Sequence, residues 1–112
     1  MTDQKSNSYS GTELEDLSQA KRYINWITSM MMPYLHSNVM EVGAGLGSIA
    51  KNVLNTCKLD SLTLVEPDHN LSKKLINRFK KNKVTIINGF ASDVKHQTNE
   101  KFDCIYYINC LE

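Results

Sequence analysis

"VMEVGAGLGSIAKNVL", residues 39–54, changes its period halfway along. Val39, Met40 and Val42 around Glu41 have the pattern of a short buried strand, and beyond Gly47 the residues Ile49, Val53 and Leu54 fall on one helix face. Gly43, Gly45 and Gly47 stand at the handover, with Ala44 between the first two. Glycine there permits a tight strand-to-helix turn and leaves backbone N–H groups open to a ligand, with no Cβ in the way. In open α/β sheets, ligands bind outside the carboxyl ends of the strands, where the winding direction reverses. This loop is therefore the expected binding site.

The flanks extend the same pattern. Residues 1–11 are polar and read as a flexible leader. Thr12 and Glu15 form a T-x-x-E capping box, which predicts a helix from near Glu13. Leu14, Leu17, Ile24, Ile27, Met31 and Tyr34 then make one apolar stripe, and Pro33 is expected to kink or end the helix. Residues 12–36 are thus a helical segment ahead of a domain at 37–112. In that domain "SLTLVEP" is a second strand stopped by Pro67. "DHNLSKKLINRFKKNK" is a helix with Asp68 as N-cap and Leu71, Leu75, Ile76 and Phe79 facing inward. "KVTIING" and "FDCIYYIN" are a third and a fourth strand, with a loop and at most one helical turn between them. Strands alternating with helices imply βαβ units on a parallel sheet, an α/β fold.

Composition narrows the class. The chain has 112 residues, of which 41% are apolar and 22% charged, ordinary for one globular domain. A net charge of +1 supplies no global attraction to nucleic acid or membrane, so neither is expected as a partner. The dense basic run Lys73, Lys74, Arg78, Lys80, Lys81, Lys83 contains one aromatic, the inward-facing Phe79, has no aromatics interleaved on its exposed side, and reads as a solvated face near a helix carboxyl end. No apolar segment approaches the ~20 residues of a membrane span, and the amino terminus does not resemble a signal peptide. Cys57, Cys104 and Cys110 have no close pairing and no histidine at metal-ligand spacing. They read as thiols in a reducing compartment, the cytoplasm, with no metal site. His36, His69 and His96 are scattered and read as surface residues.

The residues beside the glycines choose the ligand. A Walker loop is excluded, because no Gly-Lys-Ser/Thr follows. The dinucleotide fingerprint G-x-G-x-x-G needs glycine where Ser48 stands. Glu41 would repel a pyrophosphate by about 1 kcal/mol or more at short range, and would attract an ammonium or sulfonium group. Glu66, ending the second strand, is suited to accept hydrogen bonds from ribose hydroxyls. A nucleoside that is cationic at one end and carries no phosphate meets both conditions, and S-adenosyl-L-methionine is such a molecule.

With those residues in view, the chain resembles the class I S-adenosylmethionine-dependent methyltransferases. "EVGAGLG" looks like their first motif, "LTLVEPD" their second-strand acidic motif and "FDCIYYINCLE" their fourth-strand motif, a likeness covering roughly Trp26 to Glu112. The resemblance implies a Rossmann-like three-layer sandwich with adjacent strands in the order 3-2-1-4. It implies that Glu41, Gly43, Ala44, Gly45 and Gly47 hold the methionine end, and that Glu66 with Pro67 takes the ribose. Phe90 is placed near the adenine, where many relatives carry an acid instead, and core packing is its other reading. Asn109 matches a position near the methionine moiety.

Transfer of a sulfonium-bound methyl needs chiefly alignment, so no catalytic base is assigned. Tyr106 and Tyr107 are the nearest polar groups, but they alternate across the sheet and both read as packing residues. Family members usually have a seven-stranded sheet whose later strands shape the acceptor pocket. Four strands are expected here, so the chain reads as the cofactor-binding part of such a domain, with strand four an edge that a partner or a missing half would cover. The acceptor is expected to be a small molecule or saccharide-like compound. The rival readings are a non-catalytic nucleoside-binding module and an NAD-dependent oxidoreductase, the latter disfavoured by Ser48 and Glu41.

Overall fold

The computed structural model describes residues 14–108, excepting the side chain of Leu14. Thr12, Cys110 and Asn109 lie outside that range, as does the leader, so the proposed capping box has only Glu15 among the described residues. Helix α1 runs from Leu14 to Met31, and Met32–Tyr34 tightens into a 3₁₀ turn at Pro33. There follow β1 (Asn38–Val42), α2 (Ser48–Thr56), β2 (Ser61–Glu66), α3 (His69–Arg78) and β3 (Val84–Asn88). A 3₁₀ turn at Ala91–Asp93, the short α4 (Val94–Gln97) and β4 (Cys104–Tyr107) complete the order.

The sheet is parallel throughout and its strand order is 3-2-1-4. Glu41 aligns with Leu64 on one side and with Tyr106 on the other. Because side chains alternate, Val39, Leu62 and Leu64 point to one face, where they meet Ile49, Val53, Leu75 and Phe79 from α2 and α3. Met40, Val42, Val65 and Ile87 point to the other, where Val94 of α4 covers them. These are the three layers expected of a Rossmann-like sandwich, with the second helical layer reduced to α4.

Local signals hold where burial agrees with them. Asp68 caps α3 by accepting a hydrogen bond from Leu71 N at 3.0 Å. In α1 the middle of the stripe, Ile24, Ile27 and Met31, packs on the core, but Leu17 and Tyr34 at its ends are exposed. Ile76 was expected inside and is 56% exposed. Its position on α3 falls beyond the arc that β2 and β3 cover, and helical spacing alone does not give the width of that arc.

Gly47 shows why the loop is glycine-rich. Its φ of +83° lies in the left-handed region, and a Cβ there would sit 2.6 Å from Phe79 Cε2 and 2.9 Å from Leu75 Cδ2. Missing side-chain atoms let α3 close against the start of α2. Gly47→Ala is therefore expected to lower stability by about 2–5 kcal/mol, combining left-handed strain with overpacking. Urea denaturation should show a lower midpoint at an unchanged slope; an unchanged midpoint would refute this packing role.

Candidate functional site

At the carboxyl end of the sheet the glycine loop folds over β2. Gly43 N and Ala44 N both donate to Val65 O, at 2.8 and 3.1 Å. Gly45 N donates to Glu66 Oε1 at 2.7 Å, and Asp68 N donates to Glu66 Oε2 at 2.9 Å. One carboxylate thus ties the loop after β1 to the turn after β2. Its main chain is fixed as well: Ser72 Oγ and Asn88 Nδ2 both donate to Glu66 O, at 3.2 and 2.9 Å. Asn88 Nδ2 also reaches Pro67 O at 3.0 Å. From the other side Arg78 Nη1 donates to Leu46 O at 2.6 Å. A carboxylate has about four lone-pair directions, so two remain on Glu66 after these bonds.

Two cavities flank the loop and both reach Gly43. The first, about 310 Å³, is lined by Glu41, Ala44, Gly45 and Ser48, with Tyr23 and Ile24 from α1. The second, about 370 Å³, is lined by Pro67, Gly89, Phe90, Ser92 and Tyr107. A Cβ on Gly45 would meet nothing within 4 Å, so the missing side chain leaves open space beside the backbone. The structure therefore brings Glu41, Gly43, Ala44 and Gly45 to one hollow and Pro67 and Phe90 to the other, with the Glu66 tie beside the loop between them. Phe90 is 64% exposed and is no core residue. Gly47 lines neither cavity and serves packing against α3.

Glu41 is the electrostatic centre of the first cavity. Its side chain is almost fully buried and accepts a 3.0 Å hydrogen bond from Tyr106 Oη. Burial raises its pKa to about 8, against the lowering effect of the Tyr106 bond, and the nearby Glu66 adds to the rise. Near neutral pH the carboxyl mostly holds its proton, and a cation entering the cavity favours the ionised form. Burial first, and then Glu41, pushes the Tyr106 phenol well above its ordinary range, so it remains a neutral donor.

Several of these residues escaped the sequence reading. Tyr106 reads from the sequence as a packing residue, yet the 3-2-1-4 order and the β1–β4 register together set it opposite Glu41. Ile24 has only a place in the apolar stripe and Tyr23 has no reading from the sequence, and Asn88 and Arg78 act through contacts that span the chain. Among the described residues no three or more His, Cys, Asp or Glu side chains gather into a metal-binding group, and no helix is long and apolar enough to cross a membrane.

The raised Glu41 has a sign that can be checked. The folded state binds this proton more tightly than the unfolded chain, so its contribution is full below pH 4.5 and is lost as pH rises through about 8. Stability should fall across that window, and Glu41→Gln should flatten the fall in urea titrations at several pH values. A variant with the same pH slope as the parent would exclude Glu41 as its source.

Comparison with known proteins gives this geometry a lineage. Residues 17–104 match the family of ribosomal RNA adenine dimethylases. The ribosomal RNA small subunit methyltransferase A of Blochmanniella pennsylvanica is 36% identical over 87 residues, 73% of this chain and 32% of that protein. The chain spans about a third of the length of that curated relative. A cyclopropane synthase of Mycobacterium tuberculosis superposes on 81% of the chain with a TM-score of 0.64 at 14% identity, covering 32% of that protein. A SAM-dependent methyltransferase of Leishmania major covers 89% at a TM-score of 0.56 and 21% identity, 40% of its own chain. These two likenesses show the fold. The expectation that nucleic acid plays no part is overturned by the family match, and the small-molecule or saccharide acceptor finds no support in it. Net charge misled because it averages over the whole chain and is blind to where the cations sit. The match covers most of the sequence, and the chain belongs to the ribosomal RNA adenine dimethylase family of S-adenosylmethionine-dependent methyltransferases.

Proposed function

We propose that the chain is the methyl-donor-binding part of an enzyme that methylates adenine in small-subunit ribosomal RNA. The observation that carries the donor half is the pair of cavities meeting at Gly43, with Glu41 in one and the Glu66 tie beside the loop. Their sizes lie at the low end of small-ligand pockets, as suits a ligand divided between two lobes. The acceptor half rests on the family and on the name of the relative from Blochmanniella.

In this reading Glu41 receives the cationic methionine end, and its proton leaves as the ligand arrives. Glu66 offers its remaining lone pairs to the ribose hydroxyls, and Phe90 with Tyr107 flanks the adenine. Bound S-adenosylmethionine supplies a methyl group already activated on sulfur. The protein contributes alignment and exclusion of water, effects that account for about 7–11 kcal/mol in well-oriented reactions. The expected contact of Asn109 with the methionine moiety belongs to the same proposal, and Asn109 lies outside the described residues.

Calorimetry with S-adenosylhomocysteine tests the donor half. Glu66→Ala is expected to weaken binding about tenfold or more, because a charged acceptor is lost. Glu66→Gln, which keeps one acceptor oxygen, should fall between the two. NAD bound in place of the nucleoside, or equal affinity in all three proteins, would defeat the assignment. Transfer of labelled methyl to small-subunit ribosomal RNA, by a full-length protein carrying this segment, tests the acceptor half.

A further inference from the structure

A groove of about 400 Å³ runs between α1 and α2, outside the donor cavities. Lys21 and Asn25 line it from α1, Lys51 and Asn55 from α2, and Arg78 from the end of α3. All five side chains are exposed, and no carboxylate lines the groove among the described residues. A smaller hollow of about 140 Å³ shares Lys51, Asn55 and Arg78 and continues it to Asn82. With Asn52, which also lines the groove, three cations and four amides share one trough in a chain whose net charge is only +1. Arg78 uses one nitrogen on Leu46 O, and most of its five N–H donors stay available.

The trough opens on the donor site. Ala20, Ile24 and Ser48 line both the groove and the cavity that holds Glu41. Tyr23 lines that cavity from α1 and is 43% exposed, and its ring lies 6.2 Å, at a 42° tilt, from that of Trp26, which is 56% exposed and lines neither hollow. Exposed aromatic faces next to a cationic track are how single-stranded RNA is held: bases stack, and phosphates meet Lys and Arg. An enzyme acting on a base must also take that base out of its stack. The basic run at Lys80, Lys81 and Lys83 is placed differently. It precedes β3, at the amino ends of the strands and away from the glycine loop, and its one aromatic neighbour in sequence, Phe79, is buried in the core.

We infer that the α1–α2 groove, with Lys21, Lys51 and Arg78 on phosphates and Tyr23 and Trp26 under bases, is the track along which single-stranded RNA approaches the methyl donor. The inference rests on the RNA-acceptor reading above and gives it a surface. Lys21 and Lys51 line no donor cavity, so changing them separates RNA contact from donor binding.

The test is fluorescence anisotropy with a labelled single-stranded, adenine-rich RNA, read at several salt concentrations beside calorimetry with S-adenosylhomocysteine. The double variant Lys21→Glu/Lys51→Glu is expected to lose about tenfold or more in RNA affinity. Its log–log salt slope should shrink by about 1.4, or ~0.7 for each lost phosphate contact on a single strand. Donor affinity should stay at the parent value. Trp26→Ala should weaken RNA binding without altering the salt slope. Lys80→Glu/Lys81→Glu should retain most of the affinity. Equal RNA affinity in the groove variant and the parent, or loss only in the Lys80/Lys81 variant, would overturn the groove. Parent protein that binds S-adenosylhomocysteine but no RNA would overturn the groove and the RNA acceptor while leaving the donor site intact. RNA lost through the groove variant, in a parent that does not bind the donor, would uphold the groove and defeat the donor assignment instead.

Discussion

The Glu66 carboxylate joins two loops that no secondary structure holds together. Gly45 N and Asp68 N come from different crossovers, and each donates to one of its oxygens. A buried carboxylate is tolerable only when such partners surround it, since burying an unpaired charge costs several kcal/mol. The tie therefore depends on β1 and β2 being adjacent and on Asn88 and Ser72 steadying the Glu66 main chain. Both cavities take their shape from it, because moving the loop would reshape the two hollows that meet at Gly43.

Glu41 is set up in the opposite way. It has a single side-chain partner, the Tyr106 phenol, and burial outweighs that bond, so the group keeps its proton. Two acids on adjacent strands are thus held differently: Glu66 organises backbone, and Glu41 keeps its proton in a buried pocket. The division follows from the number of N–H donors each one meets.

How far the sequence disclosed this depends on the range of each interaction. The Asp68 cap and the break at Pro33 are decided within a few residues, and both stand in the structure. The parallel sheet followed from the alternation of elements, and its 3-2-1-4 order from the family likeness. Ile76 went astray because a helical period says which residues share a face, not how much of that face a sheet covers. The Tyr106–Glu41 bond was in principle derivable from strand order and register. Arg78 on Leu46 O was not, since nothing local in either segment names the other. The cations of the α1–α2 groove lie on three elements, so neither total charge nor any run of lysines announced them.

Gly47 resting on Phe79 and Leu75 also bears on how mutational data for such a protein are to be interpreted. Those two side chains belong to the core beneath the glycine loop, yet neither lines either of the cavities that meet at Gly43. A substitution there changes the packing beneath the glycine loop, so, with the donor held as proposed, a screen for lost donor binding is expected to return core positions alongside ligand contacts. Selection for a well-packed interior and selection for donor affinity then act on the same few atoms.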